Sequence, residues 1–138
     1  MMPDKYEEEI IDLHQYFEDW FTGKLEKTEI NASRLPDALA DDFHIIASNG
    51  RITPRDTLIP ALFNAYGTQS DFRIWIENVV IQQQVNDISI VTYEEWQSSN
   101  GQTTRRTSTV IFREDAAIPN GVSWLHVHES GLCPVESK

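Results

Sequence analysis

At Ser70 the rhythm of this sequence changes. Before it, apolar residues recur at helical spacing. After it, β-branched and aromatic residues gather in four runs, Phe72 to Gln84, Ile88 to Gln97, Thr103 to Arg113 and Ser123 to Glu129, parted by turn residues. Helices at one end of a chain and strands at the other predict an α+β domain with an antiparallel sheet. Strands this long have to curl around the helices to bury them, and a curled sheet closed at one end by helices leaves a pocket. Asn100-Gly101 lies between the second and third runs and matches a type I′ hairpin turn. A two-residue loop there sets Ser99 opposite Gln102, and the register follows by counting back. Glu95 then faces Arg106, Tyr93 faces Ser108 and Val91 faces Val110 on one side of the sheet. Trp96 with Arg105, Glu94 with Thr107 and Thr92 with Thr109 fall on the other.

The first half reads as helices. Tyr6, Ile10, Ile11, Leu13, Phe17, Trp20 and Phe21 predict an amphipathic helix from Tyr6 to Thr22, with Glu7, Glu8 and Glu9 at its positive end and Gly23 at C′. After a polar stretch from Lys24 to Ser33, a short helix is expected over Leu35 to Ala40, a short strand over Phe43 to Ala47, and a turn at Ser48 to Arg51. Thr53 is expected as the N-cap of a third helix with Pro54 at N1, and Pro60 to kink or break it early. Asn86-Asp87 turns between the first two strands, and Ser130 to Lys138 reads as a tail.

The 138 residues are expected to make one domain, 1–138, with a core over about 6–131 and a tail over 132–138. There are 22 acidic against 11 basic side chains, a net charge of -11, which disfavours nucleic acid and anionic membrane as partners. The only cysteine, Cys133, precludes an internal disulfide, and beside Pro134 in the expected tail it lacks the setting of a nucleophile. The start of the chain is acidic rather than apolar, unlike a signal or transit peptide, and no stretch approaches the roughly 18 apolar residues of a membrane span. A cytoplasmic protein is expected.

From about Tyr6 to Gly131 the order of elements resembles the nuclear transport factor 2-like superfamily. The likeness is carried by Tyr93-Glu94-Glu95-Trp96-Gln97, by Ser108-Thr109-Val110-Ile111-Phe112-Arg113, and by Trp124-Leu125-His126-Val127-His128-Glu129-Ser130-Gly131. This ending is similar to that of the calcium/calmodulin-dependent kinase association domain and of small bacterial SnoaL-like proteins. The Trp20 helix and the strand at Phe43 to Ile46 add to it. The resemblance implies a cystatin-like cone, a curved antiparallel sheet wrapped around N-terminal helices, and homodimers formed through its convex face. It does not imply one function, since the superfamily holds cyclases, isomerases, dehydratases, epoxide hydrolases, transport factors and assembly domains.

In the kinase association domain, the positions like Glu129 and Val110 are pocket arginines. Carried over, this places Tyr93, Glu95, Arg106, Ser108, Val110 and Glu129 on the concave face, with a glutamate and a valine where two arginines would stand. An anion pocket is therefore not expected. Two carboxylates in a poorly hydrated cavity push one pKa upward, which suits acid/base chemistry. The other reading of Glu95 and Arg106 is an exposed cross-strand ion pair near a sheet end, worth little. Trp20, Tyr66 and His128 complete the pocket candidates, and no residue is assigned a catalytic role. His126 and His128, two apart on a strand, are expected to share a face with Trp124. With no third ligand beside them, they read as buried or interfacial imidazoles, and neither a metal nor a cofactor is expected. Two functions stay open: a pocket protein for an unknown small molecule, working as an acid/base lyase or isomerase, or a non-catalytic dimeric assembly or ligand-sensing module.

Overall fold

The computed structural model describes residues 4–135. Four helices, α1 (Lys5–Phe21), α2 (Glu29–Ala32), α3 (Arg34–Ala38) and α4 (Arg55–Asn64), pack against a sheet of six strands. These are β1 (Leu39–Ile46), β2 (Ile52–Pro54), β3 (Arg73–Val85), β4 (Ile88–Ser99), β5 (Gln102–Glu114) and β6 (Val122–Val135), in the order β2-β1-β6-β5-β4-β3. The last four strands form the expected meander. The sheet is mixed rather than wholly antiparallel, because β1 comes back beside β6 in the parallel sense.

α1 begins where Asp4 accepts a hydrogen bond from the Glu7 amide at 2.7 Å, and ends at Gly23, whose φ of +78° suits C′. Its apolar stripe lies in the concavity of the sheet, and Ile10 and Trp20 are fully buried there. The Trp20 indole donates to the Leu62 carbonyl at 2.7 Å, tying α1 to α4.

Opposite the stripe's N-terminal end, Glu9 is fully buried. Its carboxylate accepts from Arg34 at 2.8 and 3.3 Å, from Asn120 at 2.9 Å and from the Trp124 indole at 2.7 Å. One side chain thereby joins α1, α3, the β5–β6 loop and β6. This burial of a charge is tolerable because its lone pairs are filled.

Several local expectations are corrected. The strand expected to start at Phe43 starts at Leu39, which cuts the preceding helix to Arg34–Ala38. A turn of helix, Glu29–Ala32, lies in the polar stretch, capped by the Thr28 hydroxyl. Thr53 is not an N-cap: it belongs to β2 and pairs with Ile45. α4 runs through Pro60 to Asn64 without breaking. The hydrogen bond that Pro60 cannot donate would end on Asp56, in the exposed first turn where water can serve that carbonyl. β6 continues to Val135, so most of the expected tail is strand.

Irregular pairings sharpen the curl. β3 shifts register after Glu77, with Asn78 at φ 55°, and β6 carries one extra residue at Leu125 against β5. Such bulges bend and twist a strand. The one at Leu125 also inverts inside and outside: Trp124 faces the core with Phe112, and beyond it Val127 and Glu129 do so.

Candidate functional site

Between α1, α4 and the concave sheet face lies a cavity of about 370 Å³. Its wall is apolar, with Leu13, Phe17 and Phe21 from α1, Leu58 and Leu62 from α4, and Phe72 before β3. Polar groups converge at one end, where His14, Tyr93, Glu95, Gln97, Arg106 and Glu129 meet.

The register predicted from Asn100-Gly101 holds at every pair, Glu95 opposite Arg106 and Tyr93 opposite Ser108 among them. Asn100 and Gly101 both adopt positive φ, 54° and 78°, as a type I′ turn requires. Concave-facing alternation then carries Tyr93, Glu95 and Gln97 from β4 and Arg106 from β5 to the same place. Glu129 arrives from β6, opposite Ser108, because of the extra residue at Leu125.

Arg106 stands between two carboxylates. Its Nη1 donates to Glu129 Oε1 at 3.1 Å, and its Nε lies 3.6 Å from Glu95 Oε2 with no hydrogen-bond partner among the described residues. Glu95 also accepts from the Gln97 amide. On its other side it meets His14, with Nε2 3.0 Å from Oε1. The second ring nitrogen, Nδ1, is 2.7 Å from the Ile10 carbonyl, an acceptor only, so Nδ1 carries a proton and donates it. Nε2 and Glu95 must then hold one further proton between them. The pair is an imidazolium with a carboxylate or an imidazole with a carboxylic acid, neutral overall either way.

The two carboxyls are driven apart in acidity. Burial pushes Glu95 up, but the hydrogen bond and attraction of His14, then Arg106 and Gln97, outweigh it and hold Glu95 below its ordinary value. Burial also pushes Glu129 up, the Glu95 charge adds to it, and Arg106 only partly offsets them, so Glu129 lies above its ordinary value. Burial, with both glutamates, raises the Tyr93 phenol well above its usual range, which keeps it a proton donor at neutral pH. Two titratable groups pushed apart in one site is the pattern of an acid/base pair.

The structure thus brings together Tyr93, Glu95, Arg106 and Glu129 at the cavity. Ser108 lies fully buried beside Tyr93 and outside the cavity lining. Three other candidates are elsewhere. Trp20 is core. Tyr66 donates to the Leu25 carbonyl at 2.7 Å, behind α1, and does not line the cavity. His128 is exposed on the convex face, where the bulge sends it together with His126 and away from Trp124. The expected shared face of Trp124 and the two histidines is corrected accordingly. The exposed ion pair is corrected too, since the Glu95 side chain is only 7% and Arg106 19% accessible.

His14 was not among the expected site residues. It falls four residues after Ile10 and three before Phe17, on the apolar stripe of α1, and a histidine in such a stripe is the signal that could have flagged it. On the convex face, the rings of His44 and His126 lie tilted against each other with centroids 4.6 Å apart. Among the described residues no three His, Cys, Asp or Glu side chains are grouped closely enough to hold a metal ion, and no helix is long and apolar enough to cross a membrane.

Comparison with known proteins adds family to geometry. Residues 6–132 match the Sucrose-6-phosphate phosphohydrolase C-terminal family. Sucrose-phosphatase 1 of Nicotiana tabacum is 23% identical over 127 residues, 90% of this chain but 30% of that protein, so the chain spans about a third of the curated relatives it matches. Among solved structures, an NTF2-like protein of unknown function from Pseudomonas aeruginosa is 25% identical with a TM-score of 0.82, covering 94% of this chain and 98% of that one. The CaMKII hub of S. rosetta is 18% identical with a TM-score of 0.65, covering 95% and 98%. The fold is therefore the nuclear transport factor 2-like, or cystatin-like, cone. The sequence motifs point to that superfamily and not to the family within it.

Proposed function

The chain belongs to the Sucrose-6-phosphate phosphohydrolase C-terminal family, and from that footing we propose that its cavity binds a small, largely apolar molecule and transfers a proton on it, as an isomerase or lyase does. One observation carries the reading: Glu95 and Glu129 flank a single guanidinium at the polar end of an apolar cavity, with their acidities pushed in opposite directions. A volume of about 370 Å³ falls within the usual span of ligand cavities, about 300–1,000 Å³.

The roles divide by environment. Glu129, the more basic carboxylate, takes and returns the proton. Glu95 stays ionised between His14 and Arg106 and keeps Arg106 in place. Tyr93 and the unpartnered Arg106 Nε donate to an oxygen of the substrate on which negative charge develops. The apolar wall keeps water from quenching that charge. A phosphate ester suits this cavity poorly, because two carboxylates share its one guanidinium. The phosphatase named in the relatives therefore does not describe the chemistry proposed for this cavity.

The test uses a neutral ketone. Cyclohexanone is incubated with the protein in D₂O, and loss of its α-proton signal is followed by NMR for wild type and Glu129→Gln, beside binding of the neutral dye Nile red. Exchange that depends on Glu129 supports the proposal. Dye binding with no exchange makes the cavity a ligand sensor, and neither binding nor exchange sinks it. A cytoplasmic homodimer belongs to the same proposal. The convex face presents the stacked Trp75 and Trp96 and the exposed Val80 to a second copy, which light scattering after gel filtration detects.

A further inference from the structure

α1 separates the cavity from a second concavity. While Leu13, His14 and Phe17 face the cavity, Asp12, Tyr16 and Asp19 face a cleft of about 540 Å³ closed on its far side by α2, α3 and Pro119. Three carboxylates line it: Asp12 and Asp19 on α1 and Asp37 on α3. Each α1 aspartate uses one oxygen to accept from an amide, Asp12 from Asn120 at 3.0 Å and Asp19 from Gln15 at 3.1 Å. The one basic residue of the lining, Arg34, is held on the buried Glu9 carboxylate, which cancels its charge. The cleft is therefore net negative.

A second observation points to a ligand. Tyr16 forms part of the wall, is 8% exposed, and its hydroxyl is buried there with no hydrogen-bond partner among the described residues. An unpartnered buried hydroxyl is costly unless something completes it. Burial pushes its pKa up to about 12, so it stays a neutral phenol, able to accept from an ammonium. Leu25 and Ile30 add apolar surface to the same wall, and Ile30, at 83% exposure, has no packing of its own.

We propose that this cleft binds a linear aliphatic polyamine in its protonated form. Asp12 and Asp19 are seven residues apart on one helix face, about 10 Å along the axis. They offer two anchor points for end ammonium groups, with Asp37 facing them across the cleft. The methylenes between lie over Tyr16, Leu25 and Ile30, and an inner ammonium reaches the Tyr16 hydroxyl. The net charge of -11 draws such cations toward the protein, while the spacing and the apolar floor select a long one.

Titration calorimetry with spermidine at about 150 mM salt, where diffuse attraction is screened beyond about 8 Å, tests this. Spermidine binds one to one. Ethylenediamine, too short to bridge the aspartates, binds no better than magnesium chloride. Asp19→Asn weakens spermidine about fivefold, in the range of one partly exposed ion pair. Tyr16→Phe weakens it about threefold while leaving thermal stability unchanged or slightly higher, because it removes an unpartnered group. Glu129→Gln, in the other cavity, binds spermidine as wild type does. Equal affinity in wild type, Asp19→Asn and Tyr16→Phe would overturn the assignment. So would displacement of spermidine by magnesium in proportion to charge alone, which would leave only diffuse attraction to an acidic chain.

Discussion

Replacing Glu9 by alanine takes the acceptor away from three donors at once. The Trp124 indole, 2% exposed, is left with a buried N–H, a loss of about 1–3 kcal/mol. Breaking a buried ion pair from one side costs about 3–5 kcal/mol, but the Arg34 side chain is 22% accessible and can turn toward water, so its share sits below that range. Asn120 retains Asp12 as an acceptor and contributes little. Together these give a destabilisation of about 3 kcal/mol, a large part of the roughly 5–15 kcal/mol typical of a domain. Urea unfolding followed by tryptophan fluorescence measures it directly, as a lowered midpoint with unchanged slope. Glu9→Gln, which keeps the volume and one acceptor, loses about half as much. In the double variant with Arg34→Met the losses are less than additive, because both act on one contact. A Glu9→Ala midpoint within about 1 kcal/mol of wild type would refute the idea that this carboxylate braces α1 against α3 and β6.

Further expectations concern the cavity and the hairpin. Glu95 is held below its ordinary value of 4.5, so its contribution to stability is full above pH 4.5 and is lost as the pH falls through its folded-state value. Glu129, raised above 4.5, acts in the opposite sense and withdraws stability as the pH rises through its folded-state value. Acid unfolding monitored by circular dichroism should show a shallower slope below pH 4.5 in Glu95→Gln, and an unchanged slope would contradict the pairing with His14. Gly101→Val forces a β-branched residue to φ +78° and should cost about 1–2 kcal/mol in thermal unfolding. Ala65→Trp, at the rim of α4 and in the cavity lining, should abolish Nile red binding while changing stability by less than about 1 kcal/mol, since the indole enters empty space.

Much of the site was legible because one turn governs it. Asn100-Gly101 admits a two-residue loop, and strand alternation carries that register to Glu95, Arg106 and Tyr93 without further information. Glu129 came from resemblance rather than counting. Counting along β6 would mislead, because the extra residue at Leu125 has no side-chain signature: a leucine suits a regular strand as well as a bulge. The same bulge defeated the shared face expected for Trp124, His126 and His128. His14 stayed hidden for a different reason. Its partner Glu95 lies 81 residues away, and only the wrapping of the sheet around α1 brings the two to 3.0 Å. The start of β1 was missed because Leu39-Ala40-Asp41-Asp42 favours no strand locally, and the pairing of Leu39 with Trp124 on β6 supplies the stability that propensity lacks. Thr53 and Pro54 satisfy every local rule for a helix start, yet the hairpin with β1 claims them.

The extra residue at Leu125 has a consequence for how this protein tolerates insertion and loss. Upstream of it β6 runs in one phase, and from His126 to Glu129 in the other. Pairing the full-length strand without the bulge would exchange the environments of everything from His126 to Gly131, turning Glu129 out to solvent and His128 in. Deleting Leu125 itself would do the reverse, leaving a regular strand in which Trp124, Val127 and Glu129 still face inward. A shortening of one residue at Pro119 or Asn120, in the preceding loop, would leave the phase of β6 intact. The reading frame of the cavity is thus set within a few residues of one strand. One face of the sheet lines the cavity and the other carries the histidines, and the bulge decides which residues of β6 fall on each.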